Sequence, residues 1–207
     1  MADTAEKIML TALRLFARDG YEAVSVSDIA GELGMTKGAL YKHYKNKRDI
    51  FDRIVERMYR VDAESSQECG VPADDPDGVG DGAEVTEKNV ADFTISRFLF
   101  WTEDGFAADF RRMLTLEQYR SSEMAELYSM CIAEGPVRYM EGIFRKMISR
   151  GCMKNDDPRH MALEFYAPFF LLVNFSDRTD DRQRLLDMLE RHISEFFRSR
   201  AYKEERS

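Results

Sequence analysis

The sequence predicts an all-α protein, with four short N-terminal helices followed by longer ones. Three observations predict it: apolar residues recur at three- and four-residue spacing from Ile8 to Phe197, no stretch alternates as a strand would, and helix-start signals head each early apolar run. The 207 residues are 44% hydrophobic, 33% charged and 12% aromatic, enough apolar surface for a self-supporting core and far from disordered or disulfide-framework composition.

The N-terminal helices are legible one by one. Asp3 and Glu6 read as a capping box for a helix that turns Ile8, Ala12, Leu15 and Phe16 to one side, and Gly20 stops it. Ser25 and Asp28 box a second, with Ile29, Ala30 and Leu33 inward and Gly34 at its end. Thr36 reads as the N-cap of a third, flanked by Met35 and Leu40 as a hydrophobic staple. Asn46 and Asp49 box the fourth, which runs through Ile50, Phe51, Ile54 and Met58 towards Asp62.

Residues 61–87 then hold nine acidic residues and no basic one, with Gly70, Pro72, Pro76, Gly78, Gly80 and Gly82 in the middle. Repelling charges and helix breakers predict a solvated loop there, dividing a domain at 1–60 from one at 88–207. Helical patterns resume at about 88–101, 105–120, 122–150, 158–175 and 180–200, and Pro136 is expected to kink or divide the third. The pattern at 158–175 is apolar nearly all round, and the next carries its own apolar stripe. One core would not readily absorb both, so Phe165, Phe169, Leu172, Leu185, Leu189, Ile193 and Phe196 are expected to pack against a partner chain.

Charge and cysteines exclude several classes. The net charge of −8 divides unevenly: residues 1–60 carry eleven Lys/Arg against nine Asp/Glu, and the remainder nineteen against twenty-nine. Gly34 to Arg48 holds five basic residues (Lys37, Lys42, Lys45, Lys47, Arg48) and no acid. With a screening length of about 8 Å at physiological salt, a polyanion can bind there despite distant acid. Cys69, Cys131 and Cys152 form no CxxC pair, and their odd count fits a reducing compartment. The start lacks a secretory signal, and the longest apolar stretch, near Phe165–Phe175, is too short to span a membrane, so a cytoplasmic protein without membrane contact is expected. Gly78–Gly82 echoes a phosphate loop without the strand before it, and Asp75, Asp77 and Gly80 begin a calcium loop that fails at Val79 and Thr86. His160 and Glu164, one turn apart, read as a surface pair. No metal, cofactor or catalytic constellation is expected; a helical carrier or enzyme is the remote alternative.

The second and third helices, joined by Gly34-Met35-Thr36, have helix-turn-helix spacing, which places the N-terminal end of the latter in a DNA major groove. Leu40 and Tyr44 share its inward face, while Gly38, Tyr41 and Lys42 face the opposite side. Lys37 and Lys42 offer point charges for phosphates, and Tyr41 and His43 offer neutral donors. Gly38 costs a helix about 1 kcal/mol relative to alanine, and close approach of a sugar-phosphate is one compensating reason. Free amides at the helix start favour an anion, and Lys47 adds a phosphate contact. The bland reading is a solvated lysine face or a module for an acidic protein.

Leu15–Tyr21, Asp28-Ile29-Ala30 and Lys37–Lys47 resemble the TetR/AcrR family of bacterial transcriptional regulators, a likeness covering Ala12 to Met58. It implies a nucleoid-associated, homodimeric regulator, read as a repressor in preference to an activator, that binds a double-stranded operator until a small-molecule effector releases it. It maps backbone contacts to Thr36, Lys37, Gly38, Tyr41, His43 and Lys47, with Ser25 and Ser27 at the second helix, and base contacts to Ala39 and Lys42. It also implies that pairing uses the last two helices, and that effector binding shifts the fourth helix and so the spacing of the two recognition helices.

Eight of the twelve methionines lie between Met113 and Met188, among many aromatics. Such an interior suits an adaptable pocket for an apolar or amphipathic effector, lined by Phe98, Trp101, Met113, Tyr119, Tyr128, Tyr139, Phe144 and Tyr166, and it equally suits a plain core.

Overall fold

A computed structural model describes residues 2–68 and 85–201. Among them lie ten α-helices and no strand: α1 (Ala2–Asp19), α2 (Val26–Glu32), α3 (Lys37–Leu40), α4 (Lys47–Glu68), α5 (Glu87–Glu103), α6 (Gly105–Glu117), α7 (Ser122–Ile132), α8 (Glu134–Ser149), α9 (Pro158–Phe175) and α10 (Arg182–Arg200). The all-α reading holds. The chain divides into two compact units, residues 1–62 with 103–128, and 63–102 with 129–207.

In the first unit α1 buries Ile8, Ala12, Leu15 and Phe16 as its spacing requires, and lies along α6, whose Ala107, Phe110, Met113 and Leu114 are buried. Each large apolar side chain so placed contributes about 1.5–3 kcal/mol. The sequence expectation set residues 105–120 in the C-terminal domain; α6 lies instead in the first unit with the N-terminal helices, packed along α1. Tyr21 closes the corner after α1, its ring 5.1 Å from Phe16 and 5.2 Å from Phe51.

The caps follow the sequence closely. Ser25 and Asp28 form a reciprocal capping box, and the Thr36 hydroxyl accepts the Ala39 amide. Asn46 Oδ1 accepts the Asp49 amide at 2.9 Å, but the Asp49 carboxylate reaches back to Lys45 N at 2.8 Å rather than to Asn46. α1 begins at Ala2, one residue before Asp3. α4 continues to Glu68, eight residues into the segment expected to be loop (residues 61–68), because acidic repulsion alone does not break a helix and the first glycine stands at Gly70. Cys69, the calcium-like Asp75 and Asp77 and the glycine run at 78–82 lie outside the described residues. Thr86 is a helix cap, its hydroxyl accepting the Asn89 amide at 3.2 Å.

In the second unit α8 packs along α9 and α9 against α10. Phe144 stands 5.4 Å from Phe165 and 5.1 Å from Phe196, and Phe165 stands 4.9 Å from Phe196, ring centre to ring centre. The long pattern at 122–150 divides at Ala133 into α7 and α8. Gly135 is needed there, because a Cβ on it would sit 1.9 Å from the Met130 carbonyl oxygen.

The residues expected at the dimer face lie inside one protomer. Phe165, Phe169, Leu172, Leu185, Leu189, Ile193 and Phe196 are all exposed by 5% or less within one chain. Helices α8, α9 and α10 bury them, with Phe98 of α5 packed on Phe169. The half-exposed apolar side chains of the same helices are Leu163, Leu171, Phe175 and Met188.

Candidate nucleic-acid interface

The connection between α2 and α3 is fixed by local chemistry. Gly34 adopts φ +64°, a left-handed conformation that a side chain resists, and the Met35 amide reaches back to the Ala30 carbonyl at 2.9 Å to close the turn. Thr36 then starts α3 with extended backbone and its hydroxyl on the Ala39 amide at 3.2 Å. The α-helical turn is short, Lys37–Leu40. It tightens into bonds from Lys42 N to Ala39 O (3.3 Å) and from His43 N to Leu40 O (2.9 Å), which extend the rod by one narrower turn.

Two anchors orient it. Leu40 is fully buried, and Tyr44 is buried with its hydroxyl donating to the Ala5 carbonyl at 2.9 Å. Burial raises the Tyr44 phenol above its ordinary value, which keeps it a neutral donor. The remaining face is left to solvent: Thr36, Lys37, Gly38 and Lys42 are exposed, Tyr41 is 50% exposed, and Ala39 and His43 are half-buried. A Cβ added at Gly38 would meet nothing nearer than the Thr36 hydroxyl at 3.9 Å. Nothing inside the protein requires glycine there, so any steric reason for it comes from outside.

Three groups in or beside the expected contact set are already engaged. The Ser25 hydroxyl donates to Asp28 Oδ2 at 2.5 Å and accepts the Asp28 amide at 3.2 Å, leaving no hydrogen to give a phosphate, whereas Ser27 is exposed. That bond, more than the nearby charge of Lys37, holds the Asp28 carboxyl below its ordinary value. Lys47 Nζ donates to the Tyr21 carbonyl at 2.8 Å and lies 4.3 Å from the centre of the Tyr21 ring. It also reaches the Glu22 carbonyl at 3.4 Å, which leaves one free N–H at most. Arg48, within the basic run, makes a two-pronged pair with Glu123 at 2.6 and 2.5 Å and a further bond to Asp52 at 2.7 Å.

The expected effector residues are divided between the two compact units. Phe98, Trp101, Tyr139, Phe144 and Tyr166 belong to the second compact unit, and Met113, Tyr119 and Tyr128 to the first. Tyr119 is 89% exposed just beyond the end of α6 and lines no interior. Phe98 and Phe144 are fully buried and packed on Phe169 and Phe165 respectively. Tyr166 stacks on Phe169 at 5.3 Å and donates to the Ile132 carbonyl at 2.6 Å, while Tyr139 lies 5.4 Å from Phe93. The sequence missed Arg97, a cation 4.4 Å from the Phe100 ring, and the buried Glu117 of α6, because one polar residue in an apolar run carries no periodic signal.

Among the described residues no three His, Cys, Asp or Glu side chains converge as a metal site, and no helix is long and apolar enough to cross a membrane. His160 Nε2 stands 3.3 Å from Glu164, which also pairs with Arg200, a surface ion-pair cluster.

Residues 8–54 match the family model described as bacterial regulatory proteins, tetR family. The HTH-type transcriptional regulator AcrR of Shigella flexneri is 43% identical over 54 residues, 26% of this chain and 25% of that protein. The chain thus matches about a quarter of the length of this curated relative. Over nearly the whole chain the fold is similar to that of PfmR from Thermus thermophilus, a TetR family transcriptional regulator, with TM-score 0.65, 21% identity and coverage of 92% of this chain and 97% of that one. It is equally similar to SmeT in complex with triclosan, with TM-score 0.65, 18% identity and coverage of 97% and 93%. SmeT is the repressor of the Stenotrophomonas maltophilia multidrug efflux pump SmeDEF.

Proposed function

We propose that this chain, whose N-terminal helices are a DNA-binding domain of the tetR family of bacterial regulatory proteins, is a homodimeric transcriptional repressor released from its operator by an apolar or amphipathic small molecule. The observation that carries the reading is the outward face of α3, with Thr36, Lys37, Tyr41 and Lys42 in solvent and Leu40 and Tyr44 locking the helix from behind. An ammonium group, a phenol and a hydroxyl on so short a rod suit the phosphates flanking a major groove, and Ala39 and Lys42 are placed for base edges. The domain organisation proposed is a DNA-binding part in the first unit and an effector-binding part centred on the aromatic interior of the second.

A second copy is proposed to cover the exposed apolar side of α9 and α10, at Leu163, Leu171, Phe175 and Met188. Two recognition helices held about 34–36 Å apart then meet successive turns of one duplex. Such a protein works in the cytoplasm on the nucleoid.

The test is retardation of duplex DNA by the purified protein, first with a mixed-sequence duplex at low salt and then with the DNA upstream of its own gene. Lys37→Ala and Tyr41→Ala should weaken all sequences together, and Lys42→Ala should alter the preference among them. Retardation of no duplex at any salt overturns the reading. Triclosan, bound by SmeT, is the first effector probe.

A further inference from the structure

Glu117, at the end of α6, is a carboxylate with 1% of its side chain exposed. Its Oε1 accepts the Tyr21 amide at 3.0 Å and Arg120 Nη1 at 2.9 Å. The approach depends on Gly20, where φ is +91° and where a Cβ would stand 2.6 Å from that same oxygen. Tyr21 is therefore gripped from two helices: α6 holds its N–H through Glu117, and α4 holds its carbonyl at 2.8 Å through Lys47, a short step along the chain from the Tyr44 anchor. Its ring lies between Phe16 and Phe51 beneath the Lys47 ammonium.

A buried carboxylate needs partners, and this one has a peptide N–H and a guanidinium. A well-packed apolar side chain would fill the same space at less electrostatic cost, so packing alone does not account for it. What the carboxylate adds is direction: a displacement of α6 is carried by a hydrogen bond to the corner that Lys47 ties to the start of α4, where the recognition segment ends.

We propose that Glu117 is a positioning residue for DNA binding, coupling α6 to the recognition helix through the Tyr21 peptide and Lys47. This rests on the DNA-binding reading above. Because coupling between sites is reciprocal, DNA bound at α3 must in turn act on α6, and that consequence can be read without knowing the effector.

The experiment is amide hydrogen exchange of the full chain with and without a mixed-sequence duplex at low salt, on wild type, Glu117→Ala and Glu117→Gln. In wild type, DNA should slow exchange at α2–α3 and also at residues 20–22 and in α6. Glutamine retains an acceptor for the Tyr21 amide and should retain that distant slowing. Alanine should lose it while keeping the slowing at α3, and its DNA affinity should fall about tenfold, the effect of roughly one lost buried hydrogen bond. A purely structural Glu117 would instead give faster exchange throughout, with the DNA-dependent difference at α6 intact, and that result overturns the proposal. So does a wild type whose DNA-dependent slowing is confined to α2–α3, which needs no variant. Failure of wild type to bind the duplex at all is a separate observation, which removes the functional reading and this coupling together.

Discussion

The outward sides of the two compact units differ in kind. Around α2 and α3 the exposed side chains are polar: hydroxyls, lysines, one tyrosine and the carboxylates of Asp28 and Glu32. On α9 and α10 they include Leu163, Leu171, Phe175 and Met188, each about half exposed. A polar outward face completes itself in water; an apolar one leaves burial still to be gained. The difference teaches that the surface a helix pair offers to a partner is set by what it leaves out of its own core, not by its richest apolar stripe, and this makes the proposed second copy a matter of Leu163, Leu171, Phe175 and Met188.

The largest expected effect tests that core. Phe144→Ala should cost about 3–5 kcal/mol of stability in denaturant unfolding, since three phenylalanines pack on the ring, whereas Tyr119→Ala should leave the midpoint unmoved. Next comes the proposed interface. Leu171→Asp should raise the dimer dissociation constant about thirtyfold or more in sedimentation while the protomer stays folded, and Leu189→Asp should unfold it. Equal loss of folding in both would place Leu171 in the core instead.

Smaller effects sharpen the picture of the first unit. Thr36→Ala removes the acceptor for the Ala39 amide and should cost about 1 kcal/mol, and Thr36→Ser should restore most of it. Smallest is the pH dependence of the Arg48–Glu123 pair. The hydrogen bond from Arg48 holds the Glu123 carboxyl below its ordinary value and raises the guanidinium above its own. Its contribution is therefore present above the unfolded carboxyl value and lost as pH falls through the folded one. Glu123→Gln should be slightly less stable than wild type at neutral pH and should converge with it in acid; both groups are about half exposed, so the gap is small.

What could be read in the sequence tracks how local the cause is. Ser25–Asp28, Thr36 and Asn46 announce their helices because a cap and its amide are three residues apart, and Gly34 announces a stop because its backbone must be left-handed. Leu40 and Tyr44 were legible as inward for the same reason of short spacing. The inward side of α9 was not, because a helix apolar all round carries no periodicity to say which side meets its own chain. Lys47 was legible as a cation near the site but not as the tie to Tyr21, and Glu117 not at all, since those bonds join residues 26 and 96 positions apart.

The central claim is that the outward face of α3 holds duplex DNA by its phosphates, and the salt dependence of binding tests it most directly. For wild type the logarithm of the association constant should fall linearly with the logarithm of salt concentration, and Lys37→Ala should flatten that slope by about one. Identical slopes for wild type and Lys37→Ala, or binding indifferent to salt, would contradict it.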